Sequence, residues 1–404
     1  MNYLWGLLGI VFVFFLAFLI SNNRKAINPR TILVGLGVQV LFGFIVLKWE
    51  FGRAMLQKVT VGVSNVIAYA DQGVGFLFGP LADPEAVGFV FAIKVLTLII
   101  FFSSLIAVLY YLGIMQLIIR FLGGGLSKLL GTSKTESLSA AANIFVGQTE
   151  APMVVRPYIS KMTQSELFAV MTGGLASVAG SVLFGYAALG VPIEYLLAAS
   201  FMAAPAGLIM AKMIVPETET SATTDEIKME RDKETANVVD AAARGASDGL
   251  KLAVNVGAML LAFIALISLL NGILTGIGNW FNFEGLTLDL LLGYLFAPIA
   301  FVIGVPWSEA VTAGGFIGQK LVLNEFVAYS GFAPQIDQLS DKTVAVISFA
   351  LCGFANLSSL AILLGGLGGM APNRRQDIAR LGFRAIMAGT LANLLSAAIA
   401  GMFL

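Results

Sequence analysis

Residues 141–152 read Ala141-Ala142-Asn143-Ile144-Phe145-Val146-Gly147-Gln148-Thr149-Glu150-Ala151-Pro152, an apolar, small-residue run that holds two amides and a carboxylate. A second such run, Leu321-Val322-Leu323-Asn324-Glu325-Phe326-Val327, sets another amide and carboxylate among aliphatic neighbours. An acid at the centre of a membrane span costs about 2.5–3.5 kcal/mol on insertion scales, so each glutamate marks a functional position. The same polar residues, with Gly147 and Pro152, break any continuous helix. Broken backbone survives at membrane depth only where it lines a protein cavity.

Working outward, the chain is 58% hydrophobic and 12% charged. It carries several apolar runs long enough to cross about 30 Å of hydrocarbon. This composition makes it a polytopic helical membrane protein and excludes a soluble enzyme. The zero net charge describes loops facing water on two sides and points to no nucleic-acid partner. The single cysteine, Cys352, sits in an apolar run and reads as a small buried residue. Histidine is absent, which leaves carboxylates for any titration chemistry.

Met1 to Ile20 reads as a retained first span, because its basic residues, Arg24, Lys25 and Arg30, follow it. The positive-inside rule makes that loop cytoplasmic and puts the N-terminus outside. Thr31–Lys48 is a second span, and the glycine-containing, mixed stretch 50–83 suits interfacial helices. Phe89–Met115 returns inward to a cytoplasmic stretch marked by Arg120, Lys128 and Lys134. Residues 131–162 are too polar to span and read as a re-entrant hairpin. Spans at Leu167–Gly190 and Ile193–Val215 follow, and then a hydrophilic cytoplasmic loop at 216–248. Leu250–Thr275 crosses outward, and a second hairpin over 290–327 enters from the opposite side. Thr343–Leu367 returns to a basic loop with Arg374, Arg375, Arg380 and Arg384, before a last span at 385–404. The expected fold is an all-α polytopic membrane protein: eight transmembrane helices, two re-entrant helical hairpins in an inverted repeat, and interfacial helices.

The inverted repeat is read from two spans that each follow a hairpin. Gly174-Leu175-Ala176-Ser177-Val178-Ala179-Gly180-Ser181 and Gly353-Phe354-Ala355-Asn356-Leu357-Ser358-Ser359 put small and polar residues in corresponding places. Inverted repeats bring broken helices together at the midplane, where half-helix ends and loosened carbonyls bind substrate and coupling ion. Glu325, Asn356 and Ser359 offer acceptors and donors matched to paired hydroxyls, while Gln148 and Thr149 suit an amide-like edge.

Four motifs, in order along the chain, resemble the concentrative nucleoside transporters in their bacterial eight-span form. They are Gly147-Gln148-Thr149-Glu150-Ala151-Pro152, Val305-Pro306-Trp307, Asn324-Glu325-Phe326-Val327-Ala328-Tyr329 and Gly353-Phe354-Ala355-Asn356-Leu357-Ser358-Ser359. The resemblance implies a nucleoside–cation symporter of the inner membrane, a homotrimer in lipid that works as an elevator and has no organic cofactor. It implies a scaffold of residues 1–113, with 249–289 as its further span and following loop. The transport unit would be 114–215 plus 290–404. Gln148, Thr149, Glu150 and Val182 would face the base. Glu325, Asn356 and Ser359 would face the ribose, with Phe354 lining the pocket. Sodium would be held by Asn143, Val146, Ser177 and Val178; Asn143 and Ser177 supply oxygen donors that a proton would not need.

Other readings remain open at this level. A proton can replace sodium, since a buried glutamate can titrate near neutrality, and another hydroxylated solute can replace the nucleoside. Glu150 can pair with Arg156, and Asn356 and Ser359 can be interhelical glue. Gly365-Gly366-Leu367-Gly368-Gly369 lacks the strand and the Lys-Ser/Thr of a phosphate loop and reads as a helix end.

Overall fold

The computed structural model describes residues 2–221, 235–281, 283 and 285–404, and among them the secondary structure is entirely helical. Helix α1 (Asn2–Leu19) and helix α2 (Pro29–Leu47) flank a basic turn. The Asn28 side chain starts α2 by accepting the Arg30 N–H, with Pro29 in the first turn. Helix α3 (Glu50–Phe78) is one 29-residue helix in the stretch expected to be interfacial, and most of it is exposed. A single turn at Phe91–Lys94 leads into α4 (Leu96–Tyr111). Helix α5 (Ile114–Leu130) was not expected from the sequence; Gly113 and Gly131, at φ 81° and 70°, bound it.

The first hairpin opens with α6 (Lys134–Ala142), set by a reciprocal cap between Ser133 and Glu136. It turns over residues 143–150 and returns through one-turn pieces, Ala151–Val155 and Arg156–Ile159. The span after it is broken into α7 (Gln164–Ala176) and α8 (Gly180–Ala188), and α9 (Ile193–Ile214) follows. Helix α10 (Val238–Trp280) is continuous over 43 residues, so the hydrophilic segment expected at 216–248 ends ten or so residues early. Asn237 caps it by accepting two N–H groups, which lets the helix begin in water well before its apolar part. Residues 222–234 of that segment lie outside the described residues.

The second hairpin also differs from expectation. The stretch 290–327 is two elements, because α11 (Leu288–Val302) bends by 116° into α12 (Trp307–Val322) at Gly304–Pro306. Gly304, at φ 118°, takes the backbone that a side chain would resist. The hairpin proper runs through α12, breaks at Leu323-Asn324 and returns as α13 (Glu325–Phe332). The next span is broken into α14 (Asp341–Leu351) and α15 (Leu357–Met370). The last helix, α16 (Arg375–Phe403), begins inside what reads as a basic loop, and its apolar stretch is almost entirely buried. Arg375, Arg380 and Arg384 lie exposed on its first three turns, which is compatible with a helix whose remainder is alanine-, glycine- and leucine-rich.

Seven helical runs are long and apolar enough to cross a bilayer among the described residues, and the bent pair α11 and α12 counts as an eighth if taken as one span. The chain is a polytopic, all-α membrane protein. Its two hairpins enter from opposite faces. Arg374 donates to Met162 O at the foot of the first hairpin, and Asn22 N–H donates to Ile214 O, so these loops share one face. At the other face Ser340 donates to Glu309, Lys342 donates to Asn2, and Asn2 donates to Leu404 O.

Helices α1 and α2 pack on α9 and α16. Glycines make this possible: a Cβ on Gly35 would stand 2.6 Å from Ile209, and one on Gly43 2.9 Å from Ile399. The fully buried Gln39 amide donates to Met202 O at 2.9 Å and Ser396 Oγ at 3.2 Å. Helices α4 and α10 instead pack on each other, with Gly245 and Gly249 against α4.

Candidate substrate and ion site

Both helix breaks meet at the centre of the molecule. Ser177 O accepts the Phe354 N–H at 3.0 Å, which joins the α7–α8 break directly to the α14–α15 break. The tip of the first hairpin is tied to the same place, because Gly180 N–H donates to Phe145 O at 3.0 Å. These are backbone groups that a helix would have paired internally, re-satisfied across elements. Close approach again needs glycine: a Cβ on Gly174 would lie 2.8 Å from Gln148 Cβ, and one on Gly366 would lie 2.7 Å from Thr149 Cγ2.

One chain of side-chain hydrogen bonds runs across this centre. Tyr186 OH donates to Glu325 Oε1 at 3.2 Å, and Asn356 Nδ2 donates to Glu325 Oε2 at 2.9 Å. Asn356 Oδ1 accepts the Ser359 N–H at 2.9 Å and the hydroxyls of Ser358 and Ser359. Ser359 Oγ in turn accepts from Gln148 Nε2 at 3.4 Å. Residues from α8, the second hairpin, α15 and the first hairpin are thereby linked. Both oxygens of Glu325 receive donors. Gln148 Oε1 and Asn324 Nδ2 are buried with no partner, an acceptor and a donor left over at the two hairpin tips. Each such orphan costs about 1–3 kcal/mol, which a polar ligand would recover.

Val182 is buried, Phe354 and Thr149 are half-buried, and Glu150 is exposed. Glu150 Oε2 accepts the Gly147 N–H at 3.1 Å, closing the hairpin tip on itself, and makes no ion pair with Arg156. The four residues expected to hold an ion split between the first hairpin (Asn143, Val146) and the α7–α8 break (Ser177, Val178), and all four are buried. Asn143 Nδ2 donates to Ser139 O, yet its Oδ1 is buried without a partner. Ser177 Oγ donates to Gly173 O, leaving its lone pairs free to accept or ligate. Gly173 brings the two elements together, since a Cβ there would stand 3.3 Å from Asn143 Nδ2. An orphaned amide oxygen, a serine hydroxyl and carbonyls at a helix break are all oxygen ligands, the donor set that suits a hard cation.

Three residues of this centre escaped the sequence reading. Tyr186, Lys320 and Asn393 lie in none of the motifs. Asn393 Nδ2 donates to Ala176 O at 2.6 Å and to Cys352 O at 2.9 Å, holding the ends of α7 and α14 together. Lys320, 1% exposed, donates to Ala350 O at 3.0 Å and to Asn393 Oδ1 at 2.5 Å.

Three family models cover most of the chain. Residues 8–81 and 195–401 match the N- and C-terminal parts of the Na+ dependent nucleoside transporter, and residues 92–192 match a model described as nucleoside recognition. The chain belongs to the concentrative nucleoside transporters. Among this transporter's relatives is the uncharacterized transporter YutK of Bacillus subtilis, 63% identical over the whole of both chains. The nucleoside permease NupC of Helicobacter pylori is 51% identical, over 99% of this chain and 98% of its own. Among solved structures, the transporter CNTnw in an inward-facing, substrate-bound state is 58% identical, with a TM-score of 0.95 over 100% of this chain and 98% of that one. A variant of CNTnw in an outward-facing state superposes with a TM-score of 0.97 over 100% and 99%. The transporter is not an enzyme.

Proposed function

We propose that this transporter takes up nucleosides by sodium symport, moving its site across the membrane as an elevator. The observation that carries the reading is the continuous bond chain from Tyr186 through Glu325, Asn356 and Ser359 to Gln148. Glu325, Asn356 and Ser359 would take the ribose hydroxyls. Gln148, Thr149 and Glu150 would take the base, directly or through water, with Val182 and Phe354 as apolar walls. The orphaned Gln148 Oε1 is an acceptor of the kind a base N–H needs. Sodium would be held by the side-chain oxygens of Asn143 and Ser177 with the carbonyls of Val146 and Val178, and it would supply the driving charge. One sodium suffices energetically: about 2.3 kcal/mol per 100 mV and about 1.4 kcal/mol per tenfold gradient sustain a few hundredfold accumulation.

Alternating access is supported by the likeness to both an inward-facing and an outward-facing relative. The mobile body we propose is residues 114–215 and 290–404 together with α1 and α2, which pack on it. Helices α4 and α10, which pack mainly on each other, would stay fixed, with the α4–α8 contact as the seam along which the body slides. The exposed apolar side chains of α3, Phe51, Met55, Val59 and Tyr69 among them, and the long apolar face left open on α10 are where a homotrimer would close. We place the protein in the inner membrane with its N-terminus outside, on the basic residues gathered at the opposite face.

The test is radiolabelled uridine uptake into proteoliposomes under an imposed sodium or proton gradient. We expect sodium-driven accumulation, its loss in Glu325→Gln, and a higher sodium requirement in Asn143→Ala. Uptake driven by protons alone would remove the ion assignment and keep the fold. No uridine uptake under either gradient would turn the substrate toward another hydroxylated solute.

A further inference from the structure

The two repeats are related by a constant step along the chain. A shift of 177 residues carries the start of α7, Gln164, onto the start of α14, Asp341, and the start of α8, Gly180, onto the start of α15, Leu357. The same shift carries Gln148 onto Glu325, so the hairpin tips correspond as well. It also carries Asn143 onto Lys320 and Gly173 onto Ala350. In the first repeat Asn143 stands against Gly173, whose carbonyl also receives Ser177 Oγ. In the second, the Lys320 ammonium stands against Ala350 and donates to its carbonyl. The corresponding residue is therefore, in one half, an amide whose NH2 group faces Gly173 and whose oxygen is orphaned, and in the other a protein cation.

Resting on the sodium site proposed above, we infer that Lys320 is a resident cation, doing in the second repeat what sodium does in the first. Both sit where a helix stops and its last carbonyls carry partial negative charge. Lys320 makes no direct ion pair with a carboxylate among the described residues, its hydrogen bonds going to uncharged oxygens. Its partners are a carbonyl of α14 and the amide oxygen of Asn393. Asn393 passes the effect on, since its NH2 group donates to the last carbonyl of α7 and to Cys352 O at the end of α14. Lys320 is thus a positioning residue: its charge fixes the break that presents Asn356 and Ser359, and through Asn393 it steadies the break that would ligate sodium. Lysine supplies a compact charge with three donors, which is the protein group closest to a small hard cation.

The experiment measures uridine binding and sodium-dependent thermal stabilisation of the purified transporter in detergent. It compares wild type with Lys320→Met, Lys320→Asn and Asn393→Asp across a sodium series. Lys320→Met should weaken uridine binding tenfold or more at every sodium concentration. Lys320→Asn, which writes the first repeat's residue into the second, should recover binding as sodium rises, along a steeper sodium curve than wild type. Asn393→Asp keeps the acceptor for Lys320 but loses both donated bonds, and should raise the sodium needed for half-maximal stabilisation; if Lys320→Met fails to fold, the other two variants carry the test. Wild-type uridine binding and sodium response in Lys320→Met would overturn the inference. So would Lys320→Asn weakened to the same degree at every sodium concentration, or Asn393→Asp with an unshifted sodium response and only a lower melting temperature. A wild type that binds no uridine would instead overturn the functional reading beneath it.

Discussion

At the scale of single residues, the site is a set of groups whose partners lie on other elements. Tyr186 shows this most directly. Its ring is fully buried, stacked on Tyr329 with centroids 4.4 Å apart, so its hydroxyl can aim only at Glu325. Tyr186→Phe keeps the packing and removes one bond to a charged acceptor, worth about 1.5–3 kcal/mol. Uridine binding by titration should weaken roughly tenfold or more with the melting temperature little changed; unaltered affinity would show that Glu325 needs no second donor. Lys212 makes the opposite case. It meets Glu136 at 2.6 Å with both side chains nearly closed to water, at the foot of the first hairpin and away from the nucleoside contacts. Lys212→Met leaves a buried carboxylate unpaired, at about 3–5 kcal/mol, so thermal unfolding should fall by many degrees while sodium half-saturation of the folded fraction stays put. The glutamates and amides of the hairpin tips stood out in the sequence because a carboxylate in an apolar run is costly. Tyr186, Lys320 and Asn393 did not, because a tyrosine, a lysine and an asparagine on helices are ordinary until the fold shows what they face.

At the scale of elements, the breaks are where sequence and structure diverge most. The sequence marks that a helix is interrupted, through Gly, Pro, Asn and Ser, but not on which residue, because that depends on what crosses the gap. Gly353 is the instance: Asn393 occupies the space its side chain would fill. Gly353→Ala should push Asn393 off both carbonyls and weaken uridine and sodium binding together, read by scintillation binding over a sodium series. Retained binding would mean that the break tolerates a shift of Asn393. Apolar length located most of the spans, though the one expected at Thr343–Leu367 is broken into α14 and α15, while α5, an amphipathic helix bounded by two left-handed glycines, looked like a charged loop. The bend between α11 and α12 was read as part of a hairpin because Gly304 and Pro306 signal any turn equally well.

At the scale of the whole molecule, packing divides the chain differently from the order of its residues. A cysteine pair replacing Tyr3 and Phe403, whose rings meet at 6.4 Å between α1 and α16, should leave sodium-driven uptake intact when bridged by a short thiol crosslinker. A pair replacing Phe102 and Phe184, stacked at 3.6 Å between α4 and α8, should abolish it. Uptake lost in the first pair would return α1 to the stationary body. The last helix also sets an order of assembly. Asn393 on α16 holds the ends of both broken spans, and α16 packs against α1, α2, α7, α9, α14 and α15. During synthesis every other part of the binding centre leaves the ribosome before the residue that fastens it. Until α16 inserts, two helix ends with unpaired carbonyls must wait in the bilayer, so this stage of biogenesis is where the chain is most open to quality-control proteolysis.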